Sequence, residues 1–194
     1  MTKSTSLCLE TIKVVNGIAQ HLSFHQRRFD TTRKALFENA PLIRLSEQIK
    51  APNNGLYRVR IEYDSVIQKI EYIPYEEREF HSFHLVEANV EYGFKWLNRD
   101  ALNALERAGC DDVLITSKGL LKDTSIANIA LWIEGEWLTP KHPLLEGTTR
   151  SRLLASGFLK ARDLDVHTLQ NAQKFAIMNA LIGFKIINNV FFKE

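Results

Sequence analysis

Cysteine is scarce: only Cys8 and Cys110 occur, with no pairing pattern and no spacing that sets them among metal ligands. That argues against a disulfide scaffold or a zinc module, and reduced thiols are expected. Long apolar runs are also missing. The stretches 126–133 and 179–192 are broken by polar residues and fall short of the roughly 20 residues a membrane helix needs. The first residues, Met1 to Ser6, lack the apolar core of a secretory signal, so a cytoplasmic protein with no membrane partner is expected. Neither sign of charge dominates. With 25 Lys and Arg against 23 Asp and Glu, interspersed along the chain, the net charge of +2 implies no polyanion partner. The basic cluster Arg27, Arg28, Arg33 and Lys34 reads as a solvated helical face, so no nucleic acid is expected. No G-x-S-x-G elbow or P-loop occurs, and His81-x-x-His84 lacks a third ligand, so no metal is expected. Repeats and low-complexity segments are missing as well.

What is present suits a packed protein. A chain of 194 residues with 45% hydrophobic content can bury a core as one large domain or two small ones. Residues 7–15 read as a strand, followed by Asn16-Gly17, a strong hairpin signal. Helices are expected over 25–37, stopped by Pro41, and over 42–50. Tyr57-Arg58-Val59-Arg60-Ile61-Glu62-Tyr63 alternates with period two, so 56–63 and 66–73 read as paired strands, with a further strand over 82–89. Then come a helix over 98–108 capped by Gly109, strands over 112–116 and 126–133, helices over 146–156 and 168–173, and closing strands over 175–178 and 182–192. The pattern predicts an α+β protein: a small two-layer α/β domain over 1–88 and a larger, barrel-like α/β domain over 89–194.

Three segments draw attention in chain order. They are Gly93-Phe94-Lys95-Trp96-Leu97-Asn98-Arg99, then Lys122-Asp123-Thr124-Ser125-Ile126-Ala127-Asn128, and Thr139-Pro140 running on to Glu146-Gly147-Thr148-Thr149-Arg150. Upstream stand Leu9-Glu10-Thr11 to Gly17 and His25-Gln26-Arg27-Arg28-Phe29. This order and wording resemble the class IV aminotransferases, the fold-type IV pyridoxal phosphate enzymes, with "F-E-T-x-x-x-x-x-G" and "H-x-x-R-L" at the start. The Lys95-x-Leu97-Asn98-Arg99 run and the tail from Leu153 to Gly183 are most similar to the family's aminodeoxychorismate lyases.

The resemblance implies pyridoxal 5'-phosphate as cofactor and Lys95 as the residue that joins covalently to its aldehyde and then shuttles a proton. Such a lysine must have its amine deprotonated by desolvation or a nearby cation. Local sequence alone would equally suit a surface lysine. Asp123 stands where the family usually has Glu, as partner of the ring nitrogen, and is one methylene shorter. By itself it also reads as a turn-capping aspartate. Thr148 and Thr149 match "G-I-T-R", which receives the phosphate, with Gly147 permitting the turn; an ordinary helix cap fits the same residues. Arg28 is the implied opposing cation, with Arg27 as its decoy. Asn128, Asn179 and Ala180 complete the implied cofactor set. Ile182 replaces the arginine of "N-S-L-R-G", which leaves Arg60 and Arg99 as candidates for a substrate carboxylate; Arg99 is also plausible as a salt-bridged helix residue.

The function implied is a lyase that splits 4-amino-4-deoxychorismate into pyruvate and 4-aminobenzoate. The alternatives are a branched-chain or D-amino-acid transaminase, or a relative that binds but has lost strong catalysis. The last draws on Asp123, Ile182 and a start close to Leu9-Glu10-Thr11, short of the family's "G-D-G". A homodimer, small-molecule substrates and an association with a separate aminodeoxychorismate synthase are the partners implied.

Overall fold

A computed structural model describes residues 6–194. Most of the stretch read above as free of a secretory signal, residues 1–5, lies outside the described residues. The chain divides into two units, one of residues 1–77 with 94–98 and one of residues 78–93 with 99–194. The division expected at residue 88 therefore sits differently. The strand over 82–87 is hydrogen-bonded into the second unit's sheet, whereas the Lys95 segment returns to the first unit.

The first unit is a sheet of order β2-β1-β3-β4, made of β1 (Cys8–Val15), β2 (Ile18–Ala19), β3 (Leu56–Tyr63) and β4 (Ile67–Pro74). The β1–β2 hairpin turns at Asn16 and Gly17, both at positive φ (47° and 79°), the backbone that such a two-residue turn requires. Helices α1 (Leu22–Leu36) and α2 (Leu45–Gln48) contribute Phe29 and Leu45 to one core with Ile12, Val14, Val59, Ile61 and Tyr63. Each such side chain, taken out of water, contributes roughly 1.5–3 kcal/mol. Period two places Cys8, Glu10, Ile12 and Val14 together on the inward face of β1. Glu10 is thus a carboxylate inside an apolar layer and needs partners.

In the second unit, seven strands run in the order β10-β9-β8-β7-β6-β5-β13, with β11 against β8 and β12 against β11. They are β5 (Ser82–Glu87), β6 (Asp112–Ser117), β7 (Leu120–Thr124), β8 (Asn128–Ile133), β9 (Glu136–Pro140), β10 (Leu159–Arg162), β11 (Lys174–Asn179), β12 (Gly183–Ile187) and β13 (Phe191–Lys193). The sheet is mixed, with parallel pairs at β5–β6, β5–β13 and β9–β10. Alternate residues of β8 and β11 enter two cores: Ile129, Leu131, Phe175 and Ile177 one, Ala130, Ala176 and Met178 the other. That is why this pair of strands is buried on both faces. Helices α3 (Asp100–Asn103), α4 (Thr148–Ala155) and α5 (Val166–Gln170) are short. Of the helix expected over 98–108 only Asp100–Asn103 is helical, and Ala108 and Gly109, both at positive φ (47° and 80°), turn the chain toward β6.

Candidate functional site

Lys95 is carried by the first unit. Its carbonyl accepts from the Leu9 N–H at 2.8 Å, the Leu97 N–H donates to the Leu7 carbonyl at 2.8 Å, and Trp96 bridges to Cys8. The segment thus lies as a short antiparallel strand beside the start of β1, with Trp96 packed on the core, and the half-buried lysine has a fixed backbone. Two residues further along β1, fully buried Glu10 accepts from Arg28 Nε (2.7 Å) and Nη2 (2.8 Å) and meets His25 Nδ1 at 2.7 Å. Burial would raise this carboxyl, but the Arg28 guanidinium and His25 overcome that and hold it at about 2. Arg28 and His25 lie three apart on α1, so one helical face delivers both. The decoy, Arg27, instead stacks over Phe24 at 4.8 Å. Arg60 is engaged on the sheet surface by Glu62 and Glu71, each at 3.4 Å.

The second unit holds the other candidates. Asp123 and Asn128 face each other across the β7–β8 pair, and the Thr124 hydroxyl caps the tight turn between them by accepting from the Ile126 and Ala127 amides. Asp123 Oδ1 accepts from Asn128 Nδ2 at 2.8 Å, and Oδ2 accepts from the Leu145 N–H at 3.0 Å. The same Asn128 Nδ2 donates to the Leu145 carbonyl at 2.8 Å. Burial pushes the Asp123 carboxyl up to about 6, against the opposing pull of Asn128, the Leu145 amide and Arg150.

Gly147 precedes α4 with ordinary extended backbone (φ −68°, ψ 144°), so the glycine is not required by the turn. It is required by space: a Cβ there would overlap Asn128 Oδ1 and stand 3.1 Å from Asn128 Cγ. Thr148 and Thr149 open α4 and are buried, with no side-chain cap on the helix. The first intrahelical bond from this turn is Ser151 N–H to the Gly147 carbonyl, so the amides ahead of it have no acceptor within the helix. Buried Arg150 donates to Glu146 at 2.6 Å and to the Pro140 carbonyl at 2.8 Å, spanning both ends of the intervening loop, while its Nε is buried without a partner.

Asn179 has a structural engagement: its Oδ1 accepts from the Leu181 and Ile182 amides at 2.9 and 3.0 Å, and its Nδ2 donates to the Ile126 carbonyl at 3.2 Å. Ala180 follows in that turn. Arg99 donates to the Ser125 carbonyl at 2.6 Å, and its Nε is buried without a partner. Ser125 in turn donates to Asp112 at 2.5 Å. Among the described residues no group of three or more His, Cys, Asp or Glu is arranged to hold a metal ion. None of their helices is long and apolar enough to cross a membrane.

The class IV amino-transferase family matches this chain over residues 7–190. The chain belongs to that family. Class IV aminotransferases are pyridoxal phosphate-dependent enzymes of fold type IV, and the α+β architecture described above is theirs. An uncharacterised protein of Haemophilus influenzae is 30% identical over 182 residues, which cover 90% of this chain and 97% of that protein. A Haemophilus somnus 129pt protein, provisionally named 4-amino-4-deoxychorismate lyase, has a crystal structure with a TM-score of 0.86 and 28% identity, covering 93% of this chain and 99% of that one. A Mycobacterium tuberculosis hypothetical aminotransferase in its PLP-bound form shares the fold at a TM-score of 0.79 with 16% identity, covering 97% of this chain and 82% of that one.

The residues of the second unit fit the family's cofactor. A helix start with uncommitted amides and a buried arginine with an orphaned N–H suits a phosphate dianion. A buried carboxylate poised near neutral pH suits a pyridine nitrogen that must stay protonated. Sequence reasoning missed Glu10 and His25 as the partners that hold Arg28 in the first unit, and Arg150 as the tie between Glu146 and Pro140 in the second. The signal for Glu10 was available: an acid at a core position of an alternating strand.

Proposed function

We propose that this class IV aminotransferase is a lyase that converts 4-amino-4-deoxychorismate into 4-aminobenzoate and pyruvate, a step toward folate. The observation that supports this most is the likeness to the H. somnus protein, whose name is that of the lyase and which matches this chain over nearly its whole length. The second reading, a transaminase, draws on the family's own name and on the M. tuberculosis aminotransferase.

Bound pyridoxal phosphate supplies an aldehyde that condenses with amines and a protonated ring that accepts the electron pair left when the neighbouring C–H bond breaks. Lys95 is the proposed covalent anchor, and its Nζ would take the proton from the amine-bearing ring carbon of the substrate. The proton lost there equals the one the departing enolpyruvyl group gains on becoming pyruvate, so the lyase reaction balances without water. Aromatisation of the remaining ring drives it forward. Asp123 would keep a proton on the ring nitrogen. The amides at Thr148 and Thr149 would receive the phosphate at the α4 start, and Arg28, aimed by Glu10, is the proposed cation. Ala180 in the turn that Asn179 shapes is a further proposed phosphate neighbour. For a substrate carboxylate Arg99 is favoured over Arg60, whose guanidinium is shared between two glutamates while Arg99 has a buried unpaired Nε.

The proposed assembly is a homodimer, with a separate aminodeoxychorismate synthase as proposed supplier of substrate. Purified protein loaded with pyridoxal phosphate, given aminodeoxychorismate, is expected to release 4-aminobenzoate. Glutamate formation from alanine and 2-oxoglutarate, with no 4-aminobenzoate from the first substrate, would overturn the lyase in favour of the transaminase.

A further inference from the structure

We propose that Asn128 is a positioning residue that locks the ring-nitrogen carboxylate to the phosphate-end loop, and that Asp rather than Glu stands at 123 because the lock is cut to that length. The inference rests on the reading of Asp123 and the α4 start as cofactor-holding groups.

The geometry is a closed set of buried polar bonds. Asn128 Nδ2 donates both to Asp123 Oδ1 and to the Leu145 carbonyl, each at 2.8 Å, and the Leu145 N–H returns to Asp123 Oδ2 at 3.0 Å. Three groups with a complementary count of donors and acceptors satisfy one another, which a low-dielectric interior rewards and a partial version of which it punishes. Leu145 lies two residues before Gly147, the residue that immediately precedes α4. The carboxylate at one end and the phosphate-receiving amides at the other are therefore held at a set separation by one amide group. Gly147 is the necessary complement, because any side chain there would expel Asn128 Oδ1 from its place. Its backbone needs no glycine, so close approach is the physical reason for the residue.

The length of residue 123 follows from the register. Asp123 and Asn128 are direct cross-strand partners, so a carboxylate and an amide on equally short stems meet head to head. A glutamate would carry its oxygens one methylene past Asn128 Nδ2 and past the Leu145 N–H, leaving two buried donors unmet. The aspartate is then a matched part of this chain's site and not a shortened, weakened version of the family glutamate.

The test compares the parent with Asn128→Ala, Gly147→Ala, the double variant and Asp123→Glu. It reads the pyridoxal phosphate dissociation constant by absorbance titration, the pH midpoint of the bound cofactor's absorbance band, and the thermal midpoint of the cofactor-free protein. Asn128→Ala and Gly147→Ala are each expected to weaken cofactor binding about tenfold and to move the pH midpoint of the band. The double variant should bind no more weakly than Asn128→Ala alone, since a Cβ at 147 then has nothing to expel. Asp123→Glu should also bind more weakly than the parent. Additive losses in the double variant, a Gly147→Ala protein within twofold of the parent, an unmoved band, or tighter binding by Asp123→Glu would each overturn the lock. A parent that takes up no cofactor overturns instead the functional reading beneath it. A variant that lowers only the thermal midpoint marks Asn128 as structural and also overturns its positioning role.

Discussion

Arg28 holds Glu10 by two parallel hydrogen bonds, Nε to Oε1 and Nη2 to Oε2, at 2.7 and 2.8 Å across 18 positions of sequence. The fork fixes the guanidinium plane against β1, next to Leu9, whose N–H is bonded to the Lys95 carbonyl. A planar cation with two donors already assigned has little rotational freedom left, which is what a phosphate or carboxylate partner would exploit.

Removing this carboxylate should cost heavily. Glu10→Gln leaves Arg28 and His25 without their buried counter-charge, a loss of about 3–5 kcal/mol for a broken buried pair. The folded pKa of Glu10 is depressed to about 2 from 4.5, so its stabilisation is present above pH 4.5 and is lost as pH falls through about 2. Urea unfolding at pH 7 should show a large gap between parent and variant that narrows toward pH 2; an equal gap at both would contradict the assignment.

Asp123 behaves with the opposite sign. Its folded pKa is raised to about 6 from 3.8, so the stabilisation it gives is present below pH 3.8 and is lost as pH rises through about 6. The cofactor-free parent should therefore lose on the order of 3 kcal/mol relative to Asp123→Asn between pH 4 and pH 8. Parallel denaturation curves across that range would count against a buried titrating group.

Lys95→Ala should abolish the covalent attachment while leaving the first unit folded, because the tether to β1 runs through the Lys95 backbone. The parent with pyridoxal phosphate is expected to show an absorbance band near the edge of the visible and, after borohydride reduction, a cofactor adduct on Lys95 by mass spectrometry. An adduct retained by the variant would move the anchor elsewhere.

Asn179→Ala should loosen the β11–β12 turn. It strips the acceptor from the Leu181 and Ile182 amides and the donor from the Ile126 carbonyl, which should cost about 1–3 kcal/mol. Amide hydrogen exchange at Leu181 and Ile182 should quicken in the variant. Unchanged protection would mean the side chain does not hold the turn.

Much of the fold was legible where the signal is local. The strand over 56–63 was readable from its alternation, and the hairpin at Asn16-Gly17 from the need for two positive φ angles. Strands β7, β9 and β10 were not read. They are five, five and four residues long, β9 ends in a proline, and β10 is a strand by virtue of a parallel neighbour about 20 positions away. At the candidate site, the order of Lys95, Asp123 and Gly147-Thr148-Thr149 was readable from resemblance, whereas the partners of Glu10 and Asn128 were not. Nothing in the string of letters says which buried donor meets which acceptor.

By itself the sequence determined the family, the α+β class and the residue types available for chemistry, because periodicity, turn residues and motif order act over a few positions. Tertiary structure alone decided where the chain divides, since β5 pairs into the second unit's sheet and Lys95 returns beside β1. It also decided why residue 147 is glycine. The turn's own dihedrals would admit any side chain, and only the approach of Asn128 from another strand forbids one.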